Sequence, residues 1–232
     1  MKTHILAHDL GTTGNKATLY NDQGQLVSAS FSGYETEYAH PGWAEQNPED
    51  WWQAVCQSTQ ALIKQAGIQS AEIACVTFSG QMMGCVPVDA NAKPLRSAII
   101  WADTRATEQA DQVGKMVAFD RMYKITGHRL SSSYSLAKIM WIRDHQPGIY
   151  KATHKFLHAK DAMIARLTGR FATEPSDASG MNLYDLNTGE WSAEIIEGAK
   201  INGDQLPEIL PSTGIAGEVT DQAATETGLA AG

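Results

Sequence analysis

The sequence predicts an α/β or α+β fold built on a mixed β-sheet. Three observations predict it. The first 35 residues read as strands joined by a Gly/Thr loop and a Gly-containing turn. A well-capped helix and further short strands follow. From Arg105 to Ile196 helical spacing dominates. The chain has 232 residues, 43% of them hydrophobic and 19% charged, which suits one large domain or one domain with an elaboration. That balance excludes a disordered, collagenous or coiled-coil chain.

Thr3–His8 alternates weakly as a first strand and runs into Asp9-Leu10-Gly11-Thr12-Thr13-Gly14. Lys16–Tyr20 is a second strand, and Asn21-Asp22-Gln23-Gly24 is a turn with Gly where a positive φ is useful. Leu26–Phe31 returns as a third strand of a β-meander. Asn47 then caps a helix, with Pro48 in the first helical position and Glu49 and Asp50 at the positive end of its dipole. Trp51, Val55, Thr59, Leu62 and Ile63 follow near helical spacing, and Gly67 stops the helix. Glu72–Phe78, apolar and partly β-branched, reads as a buried strand. Cys85–Val88 and Ile99–Trp101 are short strands around a turn at Asp89–Lys93. Arg105–Val117, Ser135–His145 and Ala159–Leu167 are the best helical segments, and Asp177–Asp185 with Gly189–Trp191 reads as a β-turn-β insertion. No repeat with a period of 20–50 residues is visible.

Charge and cysteine content narrow the function. Eighteen basic against twenty-six acidic residues leave a net charge of −8, a poor match to a nucleic-acid backbone. Gly and Pro aside, the longest uninterrupted apolar stretch is Ala98–Ala102, far short of the ~20 residues of a membrane helix. His4, His8 and Asp9 interrupt any signal-peptide core. Cys56, Cys75 and Cys85 form no disulfide framework, so the cytoplasm is the expected compartment.

Three segments can carry chemistry. In Asp9–Lys16 the glycines let backbone N–H groups form a nest for phosphate oxygens; Thr12 and Thr13 add hydroxyls and Lys16 a positive charge. Asp9 can hold Mg²⁺ through water. An ordinary Gly/Thr hairpin turn also explains the segment, and no Walker loop is present. Ser79–Gly84, after a strand, can present Met82 and Met83 to a cleft, although methionine is more often core filler and a hairpin turn with two core methionines is the plainer reading of these residues. In Trp101-Ala102-Asp103-Thr104-Arg105 the indole can stack on a sugar face while Asp103 and Arg105 bond hydroxyls, or Asp103 caps a helix beside a buried Trp101. His154 and His158 lack a third ligand nearby, which disfavours zinc. His4 and His8 read as structural or exposed.

Taken together these segments resemble the FGGY family of carbohydrate kinases, nearest its xylulokinase-like branch, over essentially the whole chain. Asp9–Lys16 looks like the family's first phosphate loop. Gly42-Trp43-Ala44-Glu45-Gln46-Asn47-Pro48 with Trp51-Trp52 resembles GWxEQDPxxWW, with Asn47 for Asp. Ser79–Gly84 resembles the SGQMHG sugar loop, and Trp101–Arg105 resembles WxDxR. Ser133–His145 fits the first family signature, with Ser135, Lys138 and Trp141 in register. Lys160-Asp161, Leu167-Thr168-Gly169 and Ser176–Ser179 resemble PKDxxxxxLTG…SDAS, with Ala159 for Pro.

The resemblance implies an actin-like, ribonuclease-H-like fold with two domains around a cleft. It implies ATP- and Mg²⁺-dependent phosphorylation of a small-molecule sugar, most simply a ketopentose such as xylulose. Asp9, Gly11, Thr12, Thr13 and Lys16 would serve Mg²⁺ and the phosphates; Met82, Met83, Trp101 and Asp103 would line the sugar site. Residues 1–232 would be the N-terminal domain alone, with the general-base Asp and the nucleotide domain beyond Gly232, so that this chain by itself is inactive. No nucleic-acid or membrane partner is expected, and a homodimer is left open. Met83 stands where xylulokinases have His, and a thioether cannot donate the hydrogen bond of an imidazole. Glycerol kinases place Arg and Glu at Met82 and Met83, which disfavours glycerol. A polyol kinase, and a non-catalytic sugar-binding or regulatory protein on the same domain, are the alternatives.

Overall fold

The computed structural model describes residues 3–232. Strands β1 (His4–Leu10), β2 (Gly14–Asn21) and β3 (Leu26–Gly33) form the expected meander. A two-residue strand β4 (Glu45–Gln46) precedes helix α1 (Pro48–Ala66). Asn47 caps α1 by accepting from the Glu49 N–H, and Gly67 ends it in the left-handed conformation, as the residue types require. Next come β5 (Ile73–Gly80), β6 (Val86–Val88) and β7 (Ala98–Ile99).

The main sheet has the order β3-β2-β1-β5, with β5 parallel to β1 and the others antiparallel. The sheet is therefore mixed. Leu6, His8 and Leu10 of β1 and Asn15, Ala17 and Leu19 of β2 are buried on one face. That face carries α1, which buries Trp51, Trp52, Val55, Thr59 and Leu62. The period of two sends Asp9 and Lys16 to the opposite, uncovered face.

The remainder alternates helices with very short strands: α2 (Thr107–Met116), α3 (Phe119–Thr126), α4 (Ser135–His145), α5 (Pro147–Ala152), β8 (Lys155–Leu157) and α6 (Ala159–Thr168). Then follow β9 (Ala172–Thr173), α7 (Pro175–Ser179), β10 (Tyr184–Asp185), β11 (Glu190–Trp191), α8 (Ala193–Ala199), β12 (Glu208–Ile209) and α9 (Asp221–Thr227). One core joins the sheet to α1 and α6; a second gathers Met122, Ile125, Leu136, Met140 and Ile195 among the later helices. Among the described residues no helix is long and apolar enough to cross a membrane.

Three expectations change. β5 is not a buried strand: only Ile73 is fully buried, and Cys75 and Thr77 are exposed. It lies at the sheet edge, and its small uncharged residues mask an ordinary one-sided alternation. Residues 177–179 belong to α7, whose start is capped by Glu174, so the insertion is a helix followed by a hairpin of two-residue strands. β6 pairs with β8 rather than with β5, so Ser79–Gly84 is not a hairpin turn.

Candidate active site

Two loops leave the same end of the sheet. In the parallel pair, Asp9 lies beside Ser79 and Leu10 beside Gly80. Residues 11–13 and 81–84 thus emerge side by side at the carboxyl ends of their strands, where open α/β sheets bind ligands.

The first loop closes the β1–β2 hairpin, so the turn and the phosphate-cradle readings describe one object. The Gly11 N–H is spent on the Gly14 carbonyl at 3.0 Å. All three loop carbonyls are held from within the protein: Gly11 by the Tyr34 hydroxyl at 2.6 Å, Thr12 by Gln46 Nε2 at 2.7 Å, and Thr13 by the Tyr34 N–H at 3.3 Å. The N–H groups of Thr12 and Thr13 donate to none of the described residues, so the cradle narrows to these two. Gly14 is required by close approach: a Cβ there would lie 2.7 Å from the Ser32 carbonyl oxygen. Asp9 and Lys16 stand opposite each other across the hairpin, both exposed, at a hollow of about 290 Å³ shared with Thr18, Thr77 and Ser79. Burial, with the Asp9 charge second, pushes the Tyr34 hydroxyl above its ordinary range.

The second loop is tied to the first. The Gln81 N–H donates to the Leu10 carbonyl at 2.8 Å. Gln81 Nε2 donates at 2.7 Å to Gln46 Oε1, which also accepts from Trp51 Nε1. Gln46, fully buried, therefore joins both loops to α1. Its role was missed in the sequence, where a lone Gln carries no periodic signal. Gln81 Oε1 is buried without a partner, an acceptor left for a ligand hydroxyl. Met82 and Met83 are half-buried, and Met83 takes φ +60°, an unusual conformation for a non-glycine residue.

Trp101 is 42% exposed and donates through Nε1 to the Thr12 hydroxyl at 3.0 Å. Its indole thus stands next to the 11–13 loop, and the alternative of a buried Trp101 is set aside. Asp103 is placed differently from a sugar ligand. It is fully buried and accepts from Ala44 N–H at 2.6 Å, Arg105 N–H at 2.9 Å and the Arg105 guanidinium. That guanidinium lies 3.6 Å from the Trp43 ring centre and reaches Glu45 at 2.6 Å. Asp103 has no free acceptor for a sugar; it fixes the Trp101 loop through Arg105. Nor does it cap α2, whose preceding residue is Ala106. A larger hollow of about 550 Å³, beneath Tyr38, His40 and Trp43, holds none of the expected site residues.

Beneath the 81–84 loop lies a charged core. Lys160 Nζ sits 2.6 Å from Asp161 and 2.8 Å from Asp177. His158 contacts Asp177 at 2.8 Å and the Ser135 hydroxyl at 2.7 Å. Burial opposes the charge on Lys160, but the two carboxylates together raise its pKa; burial likewise opposes Asp177, which His158 and Lys160 hold low. The fold does bring the carboxylates of Asp161 and Asp177 to His158. The Lys160 ammonium stands among these carboxylates.

A family model described as the FGGY family of carbohydrate kinases, N-terminal domain, matches residues 4–232. The xylulose kinase of Bacillus subtilis (strain 168) is 34% identical over 226 residues, covering 97% of this chain and 45% of that protein. The glycerol kinase of Trichormus variabilis is 33% identical over 229 residues, 97% of this chain and 46% of that protein. The crystal structure of xylulose kinase from Rhodospirillum rubrum superposes with a TM-score of 0.91 at 25% identity, covering 98% of this chain and 46% of that one. The chain spans about half the length of the curated relatives it matches.

Proposed function

The chain belongs to the FGGY family of carbohydrate kinases, and from that premise we propose that the protein transfers the terminal phosphoryl group of ATP to a hydroxyl of a ketopentose such as xylulose. One observation carries the reading. The phosphate-type loop and the Met82–Met83 loop leave adjacent parallel strands and are joined through Gln46, within 2.7 Å of each. Donor and acceptor ends of a transfer reaction need this shared frame, because phosphoryl transfer depends on positioning and charge stabilisation.

The residues fit the groups they would hold. Asp9 offers an exposed carboxylate to Mg²⁺ and its waters, Thr12 and Thr13 offer uncommitted N–H groups to phosphate oxygens, and Lys16 offsets negative charge. When bound, Mg²⁺ neutralises the phosphates. Gly11 contributes through the turn rather than through its N–H. Trp101, held by Thr12, gives the sugar a stacking face, and Gln81 Oε1 accepts a hydrogen bond from one sugar hydroxyl. Met82 and Met83 form an apolar wall, which favours a sugar presenting a hydrophobic edge. Asp103 acts by holding Arg105. The general base is assigned to none of these residues; Asp221 lies in the first turn of α9 behind its Thr220 cap, where it serves the helix dipole. Cys56, Cys75 and Cys85 are unpaired, which favours the cytoplasm.

A polyol acceptor is the second reading, favoured by the glycerol kinase relative. The test is ADP release by the complete gene product with ATP, Mg²⁺ and D-xylulose, L-xylulose, D-ribulose, L-ribulose or glycerol. Turnover with a ketopentose is expected. Turnover with glycerol alone selects the polyol reading, and a folded protein silent with the whole panel rejects the assignment.

A further inference from the structure

The 81–84 loop is held by side chains from a distant helix. Lys138 is completely buried, and its Nζ donates to the Met83 carbonyl at 2.7 Å and to the Ser133 carbonyl. Ser135, also completely buried, donates to the Gly84 carbonyl at 2.6 Å. The i, i+3 spacing puts both donors on one face of α4, so consecutive carbonyls of the loop meet consecutive turns of one helix. Among the described residues no salt bridge reaches Lys138, and burial pulls its pKa down to about 7; its Nζ donates to these carbonyls whether it is ammonium or amine. Met83 is the residue with φ +60°, a conformation that costs a non-glycine residue of order 1–3 kcal/mol and persists only where surroundings impose it. Met82 is confined too: a Cβ on Gly180 would lie 3.1 Å from the Met82 methyl and 3.3 Å from the His158 ring.

We infer that Lys138 is a positioning residue for acceptor specificity: by holding the Met83 carbonyl it keeps Met83 left-handed, and so sets where the Met82 and Met83 side chains stand. Ser135, itself braced by His158 and Asp177, holds the next carbonyl in the same way. This rests on the reading of Met82 and Met83 as the sugar-facing wall. A buried lysine amine is a costly way to fill a core position, and an aliphatic residue would fill the same space. The hydrogen bond to a strained loop is what only the lysine supplies.

The test uses the complete gene product and the sugar it turns over. In Lys138→Met the stem is kept and the donor lost. The KM for the sugar should rise about 10-fold, the loss expected for one buried hydrogen bond. The KM for ATP should stay within about twofold, because the phosphate loop is anchored elsewhere. A double-mutant cycle with Met83→Gly separates positioning from mere packing, because glycine takes φ +60° without help. The double variant should be no worse than Met83→Gly alone; fully additive losses overturn the inference. If Lys138→Met does not fold, Ser135→Ala should show a smaller loss of the same kind, and an unchanged sugar KM there overturns the inference. Hydrogen exchange of residues 81–85 should quicken in either variant, whatever sugar is used, and unchanged exchange also overturns it. Silence of the wild type with every sugar rejects the function proposed above, while exchange still decides whether Lys138 holds the loop.

Discussion

The two loops at the end of the sheet are held by opposite chemistry. Neutral donors hold the 11–13 loop: the Tyr34 hydroxyl, the Tyr34 N–H and the Gln46 amide. A buried lysine and a buried serine above a lysine–carboxylate core hold the 81–84 loop. The difference follows from what each loop is proposed to meet. A loop receiving phosphate needs its N–H groups free, so its carbonyls are tied away by uncharged groups, and its charges, Asp9 and Lys16, stand exposed on the sheet. A loop contacting a neutral sugar needs shape, and the stiff support beneath it keeps a strained methionine in place. Scaffold and working groups are separate residues in the first loop. In the second, the scaffold shapes the working groups.

The largest expected effect breaks the first side of that comparison. Asp9→Asn should lower kcat of the complete gene product about 100- to 1,000-fold with an unchanged thermal midpoint, because the carboxylate is exposed; wild-type turnover would remove Asp9 from the site. Gln46→Leu attacks the joint between the loops. It strips a donor from Thr12 O and acceptors from Trp51 and Gln81, so a stability loss of about 2–4 kcal/mol is expected, with the KM of sugar and of ATP raised together. A rise in one KM alone would show that the loops are not coupled through it.

Acid sharpens the contrast from beneath the first loop. His8 is buried against Asn15, Thr59 and the Phe78 ring, and burial lowers its pKa to about 4 against a small opposing pull from Asn15. Above about pH 6.5 the ring is neutral in folded and unfolded chains alike. Between 6.5 and 4 the unfolded chain takes up a proton that the folded one refuses, so stability falls as pH falls, by about 3 kcal/mol in all. Urea unfolding across this range should show the slope, and His8→Asn should flatten it. The smallest effect is expected for Gly14→Ala. The Phe31 ring, 63% exposed, can swing away, whereas the Ser32 carbonyl cannot, so about 1–2 kcal/mol should be lost, read from the midpoint of the same unfolding curves.

Much of this arrangement was legible in the residues. The meander, the cap of α1 at Asn47 and its stop at Gly67, and α4 over Ser135–His145 follow from local rules: alternation, capping groups, and a glycine able to turn left-handed. The motifs around Asp9, Met83 and Trp101 were legible as candidates. β4, β8, β9 and β12 were not, because strands of two or three residues are defined by partners far away in the chain. The exposure of β5 was hidden for a similar reason: a run of small apolar residues reads the same at a sheet's edge as in its centre.

What the sequence determined by itself was the family, the local elements, and the residues that make each loop a candidate. Those depend on neighbours within a few residues and on motifs in a fixed order. The tertiary structure decided that Gln46 joins the loops, that Asp103 is spent on Arg105, that Lys138 holds the Met83 carbonyl, and that Lys160 pairs with Asp177. Each is a hydrogen bond or ion pair between segments far apart in the chain, apart from the local bonds of Asp103 to Arg105. A buried polar side chain acquires its role only when folding removes water and leaves one partner within reach.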